Sequence, residues 1–279
     1  MNSALSASPD LSSRRKLLKE GRHLGYNGLI FCQKCRAPLQ HRITFGGKER
    51  IVPCLCRCQK EELEQQEQLI KEQEQMLYVR RLKAAGIQER HLQDWTFAAA
   101  ADSPGIQMAK QYVENWKMAK EKNLGLLFWG DVGTGKSFLA ACIANALLEK
   151  GVPVLMTNFS KILNQMGAMY SDERYRYITS FNLFSLLVID DLGIERNTEY
   201  ALEQVYAVID ERYKAGLPLI ITTNQTIRQI RNPEDVSHAR IYSRVLEMCT
   251  PIHIPGHDRR TAIGKSKQEL VKEIIFSMF

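Results

Sequence analysis

The sequence holds no apolar run long enough to cross a bilayer. Its longest, Leu124 to Trp129 and Leu183 to Ile189, fall far short of the roughly 18 to 20 residues a membrane helix needs. The first ten residues, Met1 to Asp10, lack the apolar stretch of a secretory signal, so a cytoplasmic protein is expected. With 17 glycines and 9 prolines in 279 residues, neither a collagen-like nor a disordered chain fits. Hydrophobic residues at 44% and charged residues at 25% leave ample material for a core. There is no internal repeat, and the seven cysteines of a cytosolic chain are expected to be thiols or metal ligands. Acidic residues are scarce in one place only. Residues 1–60 carry 12 Lys and Arg against 3 Asp and Glu, whereas residues 61–279 carry 26 against 28. The excess positive charge is therefore N-terminal, a potential that favours a polyanion or an acidic protein surface.

What is there divides the chain into a module at residues 1–60, a linker helix at 61–85 and a larger unit at 86–279. Five cysteines, Cys32, Cys35, Cys54, Cys56 and Cys58, fall within the first. Gln59 to Lys83 has no Gly or Pro and sets Leu63, Ile70 and Leu77 seven apart, which predicts an exposed helix ended by Gly86. Beyond it, helices are expected over Gln107 to Lys122, Ser137 to Lys150, Ser160 to Met169, Glu173 to Thr179 and Thr198 to Lys214. Short apolar strands separate them at Leu124 to Trp129, Val152 to Thr157, Leu183 to Asp190 and Leu217 to Thr223. This alternation predicts an α/β fold with a parallel sheet covered by helices on both faces.

The run Gly130-Asp131-Val132-Gly133-Thr134-Gly135-Lys136-Ser137 follows a strand and opens a helix, the context in which G-x-x-x-x-G-K-[ST] binds nucleotide phosphates. Gly130, Gly133, Thr134 and Gly135 shape a backbone whose N–H groups face the phosphates, aided by the helix N-terminus. Lys136 is expected to reach the β and γ phosphates of ATP and Ser137 to ligate Mg²⁺. The buried strand ending in Asp190-Asp191 supplies the matching acids. Asp190 is expected to hold Mg²⁺ and Asp191 to orient or deprotonate the attacking water. Asn224, at the end of another strand, can position that water through its amide.

These residues resemble the AAA+ ATPases of the DnaC type, a family of bacterial and phage replicative helicase loaders and IstB transposition helpers. The likeness spans roughly Ala85 to Arg260 and rests on GDVGTGKS at 130–137, LLVIDDLG at 186–193, TTN at 222–224 and the Arg-Ile-Tyr-Ser-Arg segment at 240–244. It implies a P-loop ATPase that forms nucleotide-dependent homo-oligomers, with Asn224 as sensor 1, Arg244 as arginine finger (Arg240 is the alternative) and Arg259 as sensor 2. Asp191 stands where many relatives have Glu. The resemblance also implies a helix for single-stranded DNA, here Glu173 to Phe181, where Arg174 and Tyr175 combine a cation with an aromatic. Thr198 and Tyr200 follow the acidic strand as further DNA contacts.

Cys32-x2-Cys35, eighteen intervening residues and Cys54-x-Cys56-x-Cys58 suit one tetrahedral zinc site. Four thiolates suffice and five are present. The resemblance implies Cys32, Cys35, Cys56 and Cys58 as the Zn²⁺ ligands, with Cys54 as alternate. Cys142 and Cys249 are expected as packing residues in helices. By the same resemblance the zinc module docks a replicative hexameric helicase of the DnaB type. The competing expectations are a transposition helper and a nucleotide-bound adaptor or helicase inhibitor that hydrolyses nothing.

Overall fold

The computed structural model describes residues 21–193 and 198–276, with backbone alone at residues 259–263, 265 and 276. The chain divides into two compact units between Met76 and Leu77. Among the described residues, no helix is long and apolar enough to cross a membrane.

In the first unit, β1 (Arg22–Leu24) pairs antiparallel with β2 (Ile30–Cys32), and β3 (Gln40–Phe45) with β4 (Lys48–Pro53). Gly46 and Gly47, at φ 59 and 73, make the two-residue turn of the second hairpin, whose left-handed conformation matches strand twist. Among the described residues of this unit, the buried apolar ones are Leu29, Cys32, Leu39 and Cys56. So small a core leaves the fold dependent on something besides burial. The helix α1 (Arg57–Gly86) follows, with Leu63, Ile70 and Leu77 all about half exposed.

The second unit contains α2 (Arg90–Gln93), α3 (Pro104–Glu114), α4 (Trp116–Glu121), β5 (Gly125–Trp129), α5 (Lys136–Glu149), β6 (Val154–Asn158), α6 (Phe159–Met166) and α7 (Ser171–Ser180). After these come β7 (Leu186–Leu192), α8 (Glu199–Lys214), β8 (Leu219–Thr223), α9 (Ile227–Arg231), α10 (Val236–Met248), β9 (Cys249–His253) and α11 (Arg259–Phe276). The five strands β5 to β9 form one parallel sheet in the order β6-β7-β8-β5-β9. Alternate residues point to opposite faces: Leu126, Phe128, Leu186, Val188 and Ile220 join one core with α3 and α5, and Leu127, Leu187, Ile189, Leu219 and Ile221 join another with α6, α8 and α10. Both faces are thus covered, and every strand's carboxyl end opens on one edge, where ligands of such sheets bind.

Several boundaries differ from the sequence reading. Gln107 to Lys122 is two helices that meet at Asn115, whose backbone N–H and side-chain amide both donate to the Gln111 carbonyl, at 3.0 and 2.9 Å. Residues 181–183 form a 3₁₀ turn and not the start of a strand. The cause is Arg212, 1% exposed, whose guanidinium donates to the carbonyls of Phe181 (3.2 Å), Phe184 (2.8 Å), Ser185 (2.9 Å) and Pro218 (2.9 Å). Cys249 opens the edge strand β9 and does not extend the preceding helix; Pro251 is tolerated there because an edge strand needs only one ladder. Burial lowers the Arg212 pKa to about 10, which leaves it charged at neutral pH. Arg212→Ala takes a charged donor from four carbonyls, of which Phe181 and Pro218 keep a backbone partner, and is expected to cost about 3 kcal/mol. An unchanged urea midpoint for the second unit would refute that role.

Candidate nucleotide site and cysteine cluster

The phosphate loop lies between β5 and α5. Its turn requires Gly130 (φ 145), Gly133 (φ 77) and Gly135 (φ 100), conformations that a side chain disfavours. A Cβ on Gly133 would also run into Asp258, and one on Gly130 into the Ile254 carbonyl at 2.7 Å, so the segment after β9 passes close over the loop. Lys136 is 4% exposed, and its ammonium donates to the carbonyls of Gly130 at 2.9 Å and Asp131 at 2.6 Å. The cation therefore already sits inside the loop curl. Thr134, 3% exposed, donates to the Asp131 carbonyl at 3.1 Å and tightens the same turn. Ser137 is the second residue of α5.

Asp190 and Asp191 end the buried run of β7, beside the phosphate loop's sheet neighbour β8. Asp191 has φ 58, a left-handed conformation costing on the order of 1 kcal/mol in a non-glycine residue. Fully buried threonines of β8 hold it there. The Thr222 hydroxyl donates to the Asp190 carboxylate at 2.6 Å and accepts from the Asp191 N–H at 2.9 Å. The Thr223 hydroxyl donates to the Leu192 carbonyl at 2.8 Å. The register between β7 and β8 slips between Ile189 and Leu192, so the bulge aims two successive carboxylates differently. Asn224 follows Thr223 and is exposed. The sequence reading quoted TTN at 222–224 but gave a role to Asn224 alone, because the two threonines resemble ordinary strand residues.

A cleft of about 400 Å³ adjoins the loop and is lined by Ala100, Pro104, Thr134, Phe138, His253 and Pro255 among others. It is mostly apolar and continuous with the phosphate loop, as a nucleotide base requires. Its walls come from the segment before α3 and from β9. Asn145, 3% exposed, fixes that segment by donating to the carbonyls of Leu92 (2.8 Å) and Trp95 (3.0 Å). The wall is assembled from apolar residues of separate segments, Ile106, Phe138 and Ile252 among them, so no motif announced it.

The structure brings other sequence candidates into different places. On α10, Arg244 donates to the Tyr206 hydroxyl at 2.8 Å, pairs with Asp210 at 2.7 Å and stacks over Tyr206 and Tyr213 at 5.2 and 4.7 Å. Arg240 covers the Tyr206 ring at 4.5 Å. Both lie at a shallow surface hollow with Val236 and Glu247, outside the residues lining the base cleft. Arg259 begins α11, and its side chain lies outside the described residues. Arg174 sits on α7, bonded to the Tyr200 hydroxyl at 3.2 Å, with Tyr175 66% exposed. Thr198 caps α8 by accepting from the Ala201 N–H. The four proposed DNA contacts thus share the α7 and α8 N-terminal region in part: Arg174, Tyr200 and the Thr198 cap are joined by contact or sequence.

In the first unit the sulfurs of Cys32, Cys35, Cys56 and Cys58 all lie within 4.8 Å of one another. Tetrahedral zinc with Zn–S near 2.3 Å needs sulfurs about 3.8 Å apart, so the donor set fits one such ion. Arg36, at φ 58, donates its N–H to the Cys32 carbonyl at 2.9 Å and closes the knuckle. Cys54 points elsewhere, its thiol donating to the Pro38 carbonyl at 3.3 Å. The Ala37 N–H lowers the Cys35 thiol to about 7, and the bond with Cys35 pushes Cys58 up to about 11.

Residues 58–265 match the family model of the IstB-like ATP binding protein. The chain belongs to this IstB-like ATP-binding family. Among curated relatives, the chain is similar to the replicative helicase loader DnaI of Bacillus subtilis, at 26% identity over 50% of this chain and 48% of that one. It is also similar to the replicative helicase loader DnaC of Escherichia coli, at 25% over 58% and 68%. A putative ATP-binding protein in an insertion sequence of Mycobacterium tuberculosis matches at 25% over 56% and 62%. The match to DnaI thus spans about half of that relative. The crystal structure of DnaI superposes with TM-score 0.53 at 24% identity, covering 64% of this chain and 99% of that one, and the DnaC loader with 0.51 at 22%, covering 60% and 100%. These structures show the fold, which this IstB-like chain shares with DnaI and DnaC.

Proposed function

We propose that this IstB-like chain is an ATP-dependent loader of a replicative hexameric helicase of the DnaB type. In this reading residues 1–60 form a zinc module that docks helicase, 61–85 a linker helix, and 86–279 an ATPase that handles ATP and single-stranded DNA in the cytoplasm. The observation that carries it is the joining, in one chain, of an IstB-like nucleotide site to a basic unit with a four-cysteine cluster. Lys136 and the loop N–H groups would hold the β and γ phosphates, and Ser137 and Asp190 would hold Mg²⁺. That ion would supply charge neutralisation between the phosphate oxygens. Asp191 takes a proton from water or orients it, with Asn224 beside it. Arg244, and Arg259 by its place in the sequence, complete the charge stabilisation between subunits. Tyr206 and Asp210 hold Arg244 outward until a neighbour's phosphate competes for it. Arg174, Tyr175, Thr198 and Tyr200 take the DNA.

Arg244→Ala is expected to leave ATP binding by the monomer unchanged and to abolish nucleotide-dependent assembly; retained assembly would move the finger to Arg240. The deciding experiment is size exclusion with light scattering on the chain mixed with a DnaB-type helicase, in ATP and in ADP, with and without residues 1–84. A complex lost on deletion supports the loader. Absence of any complex favours the transposition helper, whose kinship is represented by the insertion-sequence relative.

A further inference from the structure

The second hairpin of the first unit presents two unlike faces. Residues directly opposite across an antiparallel pair share a face. The register Gln40↔Pro53, Arg42↔Ile51 and Thr44↔Glu49 gives one face, and His41↔Val52, Ile43↔Arg50 and Phe45↔Lys48 gives the other. The first is tied inward: the Gln40 side-chain carbonyl accepts from the Ile30 N–H at 3.0 Å, and Arg42 donates to the Asn27 carbonyl at 2.9 Å. Arg42 also meets Glu49 at 3.6 Å. Both faces are largely exposed, Ile51 at 50% on the first, and Val52 of the second is half-buried, but the first pairs its cation with Glu49 and the second holds no acid of its own. Phe45 is 71% exposed and Ile43 43%, and His41, Lys48 and Arg50 are exposed as well.

This open face carries two cations, an aromatic ring and no carboxylate. Residues 21–56 hold six Lys and Arg and one acid, Glu49, and that acid lies on the opposite face. Protein-binding patches are no more charged than ordinary surface and are depleted in Lys, whereas nucleic-acid interfaces are strongly positive. A flat strand face with a protruding ring between cations can stack a base and track a backbone together. A duplex offers no unstacked base to such a ring. We infer that the face formed by His41, Ile43, Phe45, Lys48 and Arg50 binds single-stranded nucleic acid, with Phe45 stacking a base and Lys48 and Arg50 meeting phosphates. This site is separate from the DNA contacts proposed for the ATPase unit and stands whether or not the chain loads a helicase.

The test uses the zinc-loaded full chain without nucleotide and a fluorescent single-stranded oligonucleotide of mixed sequence, titrated by anisotropy over a salt series. Lys48→Ala with Arg50→Ala is expected to flatten the slope of log affinity against log salt by about 1.4, because each phosphate contact on a single strand contributes about 0.7. Phe45→Ala is expected to weaken binding about tenfold and leave the slope unchanged, since stacking releases no counterions. Ile51→Ala, on the opposite face, should alter neither. All are repeated in an Arg174→Ala background, which removes a contact proposed for the ATPase unit, and zinc content and thermal midpoint are read for each. Parental slope and affinity in both backgrounds, from variants that keep their zinc, would overturn the inference. So would loss of helicase binding alone, which would make the face a protein-docking surface while leaving the loader reading intact.

Discussion

Lys136→Ala is expected to weaken ATP binding by about tenfold to a hundredfold, the worth of one or two charge-assisted hydrogen bonds, and to reduce turnover below detection. The ammonium is buried at 4% exposure within the loop and spends itself on the carbonyls of Gly130 and Asp131. Those carbonyls hold it at the point where phosphates enter, so it needs only to exchange partners and not to travel. Alanine removes the attraction for phosphate and also leaves the loop carbonyls without their donor. The measurement is thermal denaturation with Mg²⁺ and ATP. Saturation to 100 times Kd stabilises the parent by about 2.7 kcal/mol, and the variant should keep only about 0.4 to 1.4 kcal/mol of that at the same concentration. Equal stabilisation, with equal turnover, would remove Lys136 from the phosphate site.

The parts of this site that the sequence made legible are those where chemistry dictates spacing. The loop must place glycines at its turns and a lysine at the helix start, and Gly130, Gly133 and Gly135 do adopt positive φ. A buried apolar strand gives way to polar residues where it reaches the sheet's edge, and Asp190 and Asp191 follow the buried run Leu186 to Ile189. The cysteine pairs had to come within one ion's reach, and Cys32, Cys35, Cys56 and Cys58 do, with Cys54 turned away. Illegible parts act through geometry instead of residue type. Thr222 and Thr223 read as strand formers, yet their hydroxyls pin the Asp190-Asp191 corner. Arg212 reads as a solvent cation on a helix, yet it binds four carbonyls in the core. The cleft beside the loop is walled by apolar residues drawn from separate segments, Ala100, Ile106, Phe138 and Ile252 among them, and such residues carry no signature of their own. The strand β9 was hidden because no turn separates it from α10.

Removing zinc is expected to unfold the first unit and leave the second folded and able to bind ATP. Ordering a residue costs about 1 to 2 kcal/mol in backbone entropy, and here the offsetting core is Leu29, Leu39 and two of the cysteines. Four thiols without a metal are poor compensation. One thiolate forms readily, since the Ala37 N–H lowers Cys35 to about 7, but the bond with Cys35 then pushes Cys58 up to about 11 and burial raises Cys56, so gathering all four as anions is unfavourable without a cation at their centre. Zinc reverses that sign, because each thiolate then gains a bond, and its binding free energy becomes folding free energy on the order of 10 kcal/mol. The same reasoning gives the pH dependence: protons compete with zinc for all four sulfurs, so the unit should lose metal and fold together as pH falls. Cys56→Ser should lose zinc at neutral pH, whereas Cys54→Ser should keep it, since that thiol donates to Pro38 and not into the cluster. Metal content by atomic absorption and amide dispersion by NMR read the two results separately. Dispersed amides for residues 21–56 after complete chelation would show that the hairpins hold themselves, and the module's dependence on metal would be wrong.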